Sequence, residues 1–416
     1  MVGYHVHAWI FKSRTGVNIK DFGYRYLEFT RLFRSIALIY TTIAMPLYLV
    51  ALHVNIVYIG LVVLSVMLFN IGVTFTSGMV GDRIGYKYSL LIAETLAFLG
   101  ITVLAFSTNI YMIVIGIIIS GVSGSGGAMR GSMSSGLNAF IANNWKENEE
   151  RARKLAGIFM FGAVGSVIGS SLLYFNAPIK AYFGTLGAFR VIFMLSAVLL
   201  LISIVLLMKL EDSERPKKTT KVMKIESLKY SLRVMGSNMI TGMGIGLAIP
   251  LMPLWFELTY KLNTTQLSYI FIIYYAVAGI GSVVARRIVH RVNLVNMASI
   301  TRTLNGLFLI VMALSPFAIL SAFMYELFSF SSSLGVPSRS AVNIRGINKE
   351  DYGTASTIQG ISITASQLTS GLSGALLEYS LELPLLAGGA LQAIGGLAYK
   401  RLMSKSYEES NRRDKT

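Results

Sequence analysis

Cysteine is absent from the 416 residues. Disulfides and thiolate metal sites are therefore excluded, and the redox compartment leaves no mark on the sequence. Charge is also scarce: Asp, Glu, Lys and Arg make up 14% of the chain, against about a quarter in soluble domains. A soluble enzyme, a nucleic-acid binder and a disordered scaffold are ruled out by that deficit. What fills the chain instead is apolar, 54% of residues, in runs such as IVYIGLVVLSVMLFNIGVTFTSGMV (56–80). About 20 such residues let a helix cross the hydrocarbon core of a bilayer. The sequence is that of a polytopic membrane protein.

The charge that exists is lopsided, 37 basic residues against 20 acidic. In a membrane protein that excess belongs in cytoplasmic loops and does not signal nucleic acid. Roughly twelve apolar spans can be drawn, near 32–53, 56–79, 88–107, 110–140, 155–175, 188–208, 236–257, 266–285, 294–314, 316–343, 354–377 and 383–400. If they alternate in direction, nearly all Lys and Arg fall on one side, including Arg31 and Arg34 at the opening of the first span. The other side receives only Lys180, Arg190 and Lys261, while Arg130, Arg302 and Arg339 fall inside spans. Both termini and the middle loop are expected in the cytoplasm.

Residues 1–31, with Lys12, Arg14 and Lys20, lack an apolar core ending at a small-residue cleavage site. They read as a cytoplasmic leader and not as a signal peptide. The expected layout is then a six-helix half over 32–208, a linker over 209–235, a second half over 236–400 and a cytoplasmic tail over 401–416. The halves look related. IAMPLYL (43–49) in the first span has a counterpart in AIPLMPLW (248–255) in the seventh, and GGAMRGS (126–132) in the fourth has one in GVPSRSA (335–341) in the tenth. Two such repeats are a transporter design with the substrate site between them near the midplane.

Between spans two and three stands GMVGDRIGYK, with Gly78, Asp82, Arg83, Gly85 and Lys87. It is similar to the signature of the major facilitator superfamily, G-x-x-x-D-R-x-G-x-R/K, and it lies where that family carries it. A decayed copy, GSVVARRIVH (281–290), keeps Gly281 and Arg286 but has Ala285 in place of the Asp. The resemblance implies an all-α fold of twelve membrane helices in two pseudo-symmetric halves that rock about a central site. It also implies that the signature loop latches the halves on the cytoplasmic side, without touching substrate. Two patterns of drug-exporting relatives are degraded: the early position of span four, around Ile117, is apolar, and GSVIGS (165–170) has Ser166 and Ser170 where Pro and Gly are usual.

Ionisable groups inside hydrocarbon are costly and invite a functional reading first. Glu326 in span ten is the candidate for proton coupling, since a carboxyl kept from water can bind and release a proton. Its helical face continues through Phe330, Ser333 and Pro337. Arg130 and Arg339 hold matching places in the two repeats and suit either an anionic substrate or a gate. Glu94 and Arg302, on spans three and nine, are expected to pair with each other or locally. Tyr40, Tyr48, Asn70, Trp255, Tyr274, Tyr275 and Gln359 could line a cavity. Pro46, Pro250 and Pro253 are expected to bend spans one and seven.

No phosphate-binding loop appears, and His5 and His7 are too few for a metal, so no cofactor or metal is expected. The expectation is a monomeric, multi-pass protein of the cell membrane that moves a small solute by alternating access, coupled to protons or another ion. Symport of a polar or anionic metabolite is preferred to proton-coupled efflux of amphipathic drugs. A receptor or membrane enzyme on the same scaffold is the remaining alternative.

Overall fold

The structure is a computed structural model and describes residues 22–122, 132–145, 147–212, 224–289, 291–347 and 352–413. Among them regular structure is entirely helical. The first half contains α1 (Tyr24–Ala51), α2 (Ile56–Arg83), α3 (Tyr86–Phe106), α4 (Ile110–Ser120), α5 (Ser132–Asn144), α6 (Asn148–Ser171) and α7 (Asn176–Met208). The second contains α8 (Ile225–Ala248), α9 (Met252–Tyr260), α10 (Thr264–Ile288), α11 (Leu294–Leu314), α12 (Ala318–Arg345), α13 (Tyr352–Ser366), α14 (Ser370–Tyr379) and α15 (Leu383–Arg413). Seven described stretches are long and apolar enough to cross a membrane, or eight if the bent pair α8–α9 counts as one.

Asparagine sets several of the helix starts. Asn55, Asn109, Asn263 and Asn293 each accept a backbone N–H of the first turn of α2, α4, α10 and α11, relieving donors that a helix leaves unpaired in that turn. Glycine ends α4, where Gly121 takes the left-handed conformation at φ 67°. Proline acts differently at its two expected bends. Helix α8 breaks at 249–251 and turns by 44° into α9, around Pro250 and Pro253, whereas α1 runs unbroken through Pro46.

The two halves repeat one packing plan. In the first, α1 and α3 both lie against α7; in the second, α8 and α11 both lie against α15. Close approach in the second half depends on paired glycines. A side chain at Gly388 would strike α8 at Gly244, and one at Gly389 would strike α11 at Gly306. One heptad on, Gly395 meets Thr241 of α8 and Gly396 meets Thr303 of α11. Lipid tails are as apolar as the helices, so such backbone-to-backbone fit, rather than exclusion of water, supplies the attraction.

Between the halves contact runs along two seams, α6 against α10, where the Tyr174 ring just past α6 meets that of Tyr269, and the Ile56 end of α2 against α14. Gly60 lies against Gly374 of α14, where an added Cβ would come within 2.8 Å of the Gly374 nitrogen. Gly371 faces Leu64, and Ser370 Oγ sits 3.2 Å from Met67 Sδ. At the tip, Asn55 Nδ2 donates to Glu378 Oε1 at 3.3 Å. Further along α2, Gly72 and Gly78 have no atom within 4 Å of where a Cβ would be.

Helix α1 begins at Tyr24, ahead of the apolar span, and Arg31 and Arg34, at the opening of that span, are buried within it. A hydropathy reading cannot see the carboxylate that meets Arg34, supplied by a helix sixty residues away.

Candidate functional site

Glu326 lies eight residues into α12, about 12 Å along the helix at 1.5 Å per residue. Its two carboxylate oxygens are buried and neither has a hydrogen-bond partner among the described residues. Aromatic rings surround this level of the helix. Tyr325, next in sequence, stacks on Tyr274 of α10 with centroids 4.3 Å apart, and Tyr275 stands edge-on to Tyr274 at 5.1 Å. Phe271 of α10 and Phe256 of α9 close on Tyr325 from either side. Ser329 Oγ donates to the Tyr274 carbonyl at 2.7 Å, which fixes α10 and α12 at the same height. Tyr274, Tyr275 and Glu326 itself remain partly exposed.

The other charges are committed elsewhere. Arg339 Nη2 donates to the Ser332 carbonyl of its own helix at 2.9 Å. Arg302 of α11 is buried, donates from Nη2 to Asn238 Oδ1 of α8 at 2.5 Å, and lies 4.2 Å above the Tyr399 ring of α15. Glu94 of α3 is taken by Arg34 of α1 and by the hydroxyl of Ser203 on α7. Glu94 and Arg302 are thus each held within their own half, not by one another. The N-terminal set of α1, α3 and α7 and the C-terminal set of α8, α11 and α15 occupy equivalent helices, but among the described residues Arg34 has a carboxylate for partner and Arg302 an amide and a ring. Arg130 and the Asp82 side chain lie outside the described residues.

Several expected lining groups have structural partners. Tyr40 is buried and donates to Asn176 Oδ1 at 3.1 Å. Asn70 Nδ2 bridges α2 to the Gly121 carbonyl at 2.8 Å, at the end of α4. Trp255 is buried, and its Nε1 donates to the Leu381 carbonyl at 2.8 Å. Tyr48 accepts from Arg190 Nε at 3.1 Å, and Gln359 Nε2 donates to the Asn343 carbonyl at 3.1 Å. Of the residues singled out, Tyr274 and Tyr275 gather around Tyr325, the neighbour of Glu326 in sequence. Tyr325 went unnoticed in the sequence, although its place beside Glu326 was the signal.

The signature loop is anchored within its own half. Both Asp212 carboxylate oxygens accept from the Lys87 backbone N–H, at 3.1 and 3.3 Å, and Lys87 Nζ donates to the Met208 carbonyl at 2.6 Å. Gly85, at φ 136°, presses so closely on Asp212 that no side chain fits there. Partial burial lifts the Asp212 carboxyl above its ordinary range, against the pull of the Lys87 N–H and ammonium. Arg83 is exposed.

The sequence pattern of the Major Facilitator Superfamily matches residues 28–235. No curated protein matches the sequence. Among solved structures, a D-xylose-proton symporter superposes with a TM-score of 0.72 at 15% identity, covering 90% of this chain and 95% of that one. An autoinhibited POT family peptide transporter gives 0.73 at 10% identity, covering 91% and 96%. A bacterial homologue of the human lysosomal transporter Spinster, inward-facing and unoccupied, gives 0.68 at 10% identity, covering 95% and 99%. At such identities the likeness is one of fold.

Proposed function

The chain belongs to the major facilitator superfamily, and we propose that it is a twelve-span secondary transporter of the cell membrane that carries a small solute by alternating access, driven by protons. Membership makes it a multi-pass membrane transporter and not an enzyme; the span count, orientation, cargo and driving ion are our reading. Joining α4 to α5, α8 to α9 and α13 to α14 turns the fifteen described helices into twelve spans. With both termini in the cytoplasm, the seam from Gly60 to Gly374 lies on the outer side. The described conformation then faces the cytoplasm, and the signature loop, Gly78 to Lys87, is unlatched from the second half. We take the working unit to be a monomer.

The observation that carries proton coupling is Glu326, whose two buried oxygens have no partner. Such a carboxyl keeps its proton while sealed from water and yields it where water reaches it. The test is transport into liposomes carrying the purified chain, with an imposed pH gradient and a proton-sensitive dye inside. Proton movement that depends on solute and stops in Glu326→Gln supports the reading. Solute movement indifferent to pH and to Glu326 overturns it.

Symport of a polar or anionic metabolite would draw on Arg130 and Arg339 as an anion clamp. Arg339 turns back onto its own helix, which gives that preference little support. Exchange of an amphipathic compound for protons gains from the cluster of Tyr274, Tyr275 and Tyr325, the last of them next to Glu326 in sequence.

A further inference from the structure

We propose that the second half holds a small inorganic anion, a halide such as chloride, on Arg302, in the place that the first half gives to the Glu94 carboxylate. Glu326 and its proton play no part in it.

The two places correspond residue for residue. Glu94 is the ninth residue of α3 and Arg302 the ninth of α11, helices of 21 residues each. Arg34 precedes Pro46 by twelve residues, and Asn238 precedes Pro250 by twelve. Each pair is joined side chain to side chain, Arg34 to Glu94 and Arg302 Nη2 to Asn238 Oδ1 at 2.5 Å. Between the halves the cation has changed helices. Where its carboxylate would then stand, on α8, there is an amide.

Charge decides what that amide leaves wanting. Arg302 is 5% exposed and Asn238 4%. Arg302 Nε and Nη1 are buried without a partner among the described residues, and so is Nδ2 of the same Asn238. All three are donors. An orphaned acceptor one turn on, Asn305 Oδ1, is neutral and cannot balance the charge. The Tyr399 ring, 4.2 Å from the guanidinium, offsets it less than a full negative charge does. A charge kept from water needs an opposite charge and partners for its donors. Water would accept from these donors and leave the charge standing; a monovalent anion meets both needs.

Packing sets the size. Gly395 and Gly396 of α15 lie directly against Thr241 of α8 and Thr303 of α11, one turn from Asn238 and one residue from Arg302. A seam so close has no width for an organic acid, and a monatomic ion is what it can take. Polar groups lead from the site towards the end of α12: Tyr399 Oη donates to Asn343 Oδ1 at 3.3 Å, and Asn343 is partly exposed.

The test is thermal unfolding of the purified full chain in detergent, with sodium chloride or bromide replacing sodium gluconate at constant ionic strength. The parent should melt a few degrees higher as halide rises, and the gain should level off once the site is filled. Arg302→Met should melt alike in all three salts. Asn238→Asp, which sets a carboxylate opposite Arg302, should also lose the halide response, and in gluconate it should melt above the parent. If Arg302→Met yields no folded protein, Asn238→Asp decides alone. A parent indifferent to halide overturns the proposal. So does a halide response that survives in Arg302→Met or in Asn238→Asp, since it would then arise elsewhere on the chain.

Discussion

Glu94 and Arg34 form a buried ion pair across α3 and α1, their side chains 0% and 6% exposed, with Ser203 of α7 holding the second carboxylate oxygen. Three helices of the first half are thus fastened by one carboxylate. Removing either partner strands the other charge in an apolar interior, which costs about 3–5 kcal/mol. Arg34→Met and Glu94→Leu should each lower the unfolding temperature in detergent sharply. The double variant should recover part of the loss, and thermal unfolding of all four proteins completes the cycle.

Arg302 should behave otherwise. Its guanidinium has an amide and a ring for partners and no carboxylate among the described residues. Arg302→Met therefore removes a charge without stranding an opposite one. It should cost no more than about 1–2 kcal/mol, chiefly for the unpaired Asn238 oxygen. A loss as large as that of Arg34→Met would refute this account.

Glycines of the same helix type should respond with opposite signs. Gly306 faces the α15 backbone at Gly389 and Ala393, and Gly306→Leu should prevent recovery of folded protein. Gly236 of α8 has open space at its Cβ position, so Gly236→Ala should gain about 0.5–1 kcal/mol from the reduced freedom of the unfolded chain. Size-exclusion profiles and thermal melts distinguish the two.

The absence of native cysteine makes the seam between α2 and α14 directly testable. Asn55 and Glu378 touch across the halves at 3.3 Å, so an Asn55→Cys, Glu378→Cys double variant should cross-link on mild oxidation without background. Transport should stop when the bond forms and return on reduction. Cross-linking that leaves transport unchanged would mean that this seam does not open.

Asp212 supplies a pH dependence. Its folded-state carboxyl sits above the ordinary Asp value of about 4, because of partial burial. Just above that value the folded protein binds more protons than the unfolded chain, so stability falls as pH rises through the window and levels off beyond the folded value. Asp212→Asn should flatten this part of the curve while still accepting from the Lys87 N–H. Melting temperatures of parent and variant from about pH 4 to 7 give the difference, and a parent curve rising with pH relative to the variant would contradict the assignment.

Much of the fold was legible from hydropathy and from one loop. Apolar runs mark the long helices because a bilayer allows few other solutions, and the Gly78 to Lys87 signature pointed to the superfamily that residues 28–235 match. Partners between distant helices left no such trace. The burial of Arg34 at the opening of its span left no sign because Glu94 is sixty residues away, and Trp255 looked like a lining residue because nothing local reveals its bond to Leu381. Tyr40 misled for the same reason, its partner Asn176 lying far along the chain. Glu326 could be singled out because an isolated acid in a long apolar run is rare; the stacking of its neighbour Tyr325 on Tyr274 required α10 to be set at the right height.

The doublets Gly388–Gly389 and Gly395–Gly396 turn adjacent residues of α15 toward different neighbours, one to α8 and one to α11. Three helices are laminated in this way, glycine against backbone at two levels of α15. Such a plank resists shear along its length. A displacement at one end of these three helices is then carried to the other, and appears at the boundary with the first half instead of being absorbed as internal deformation.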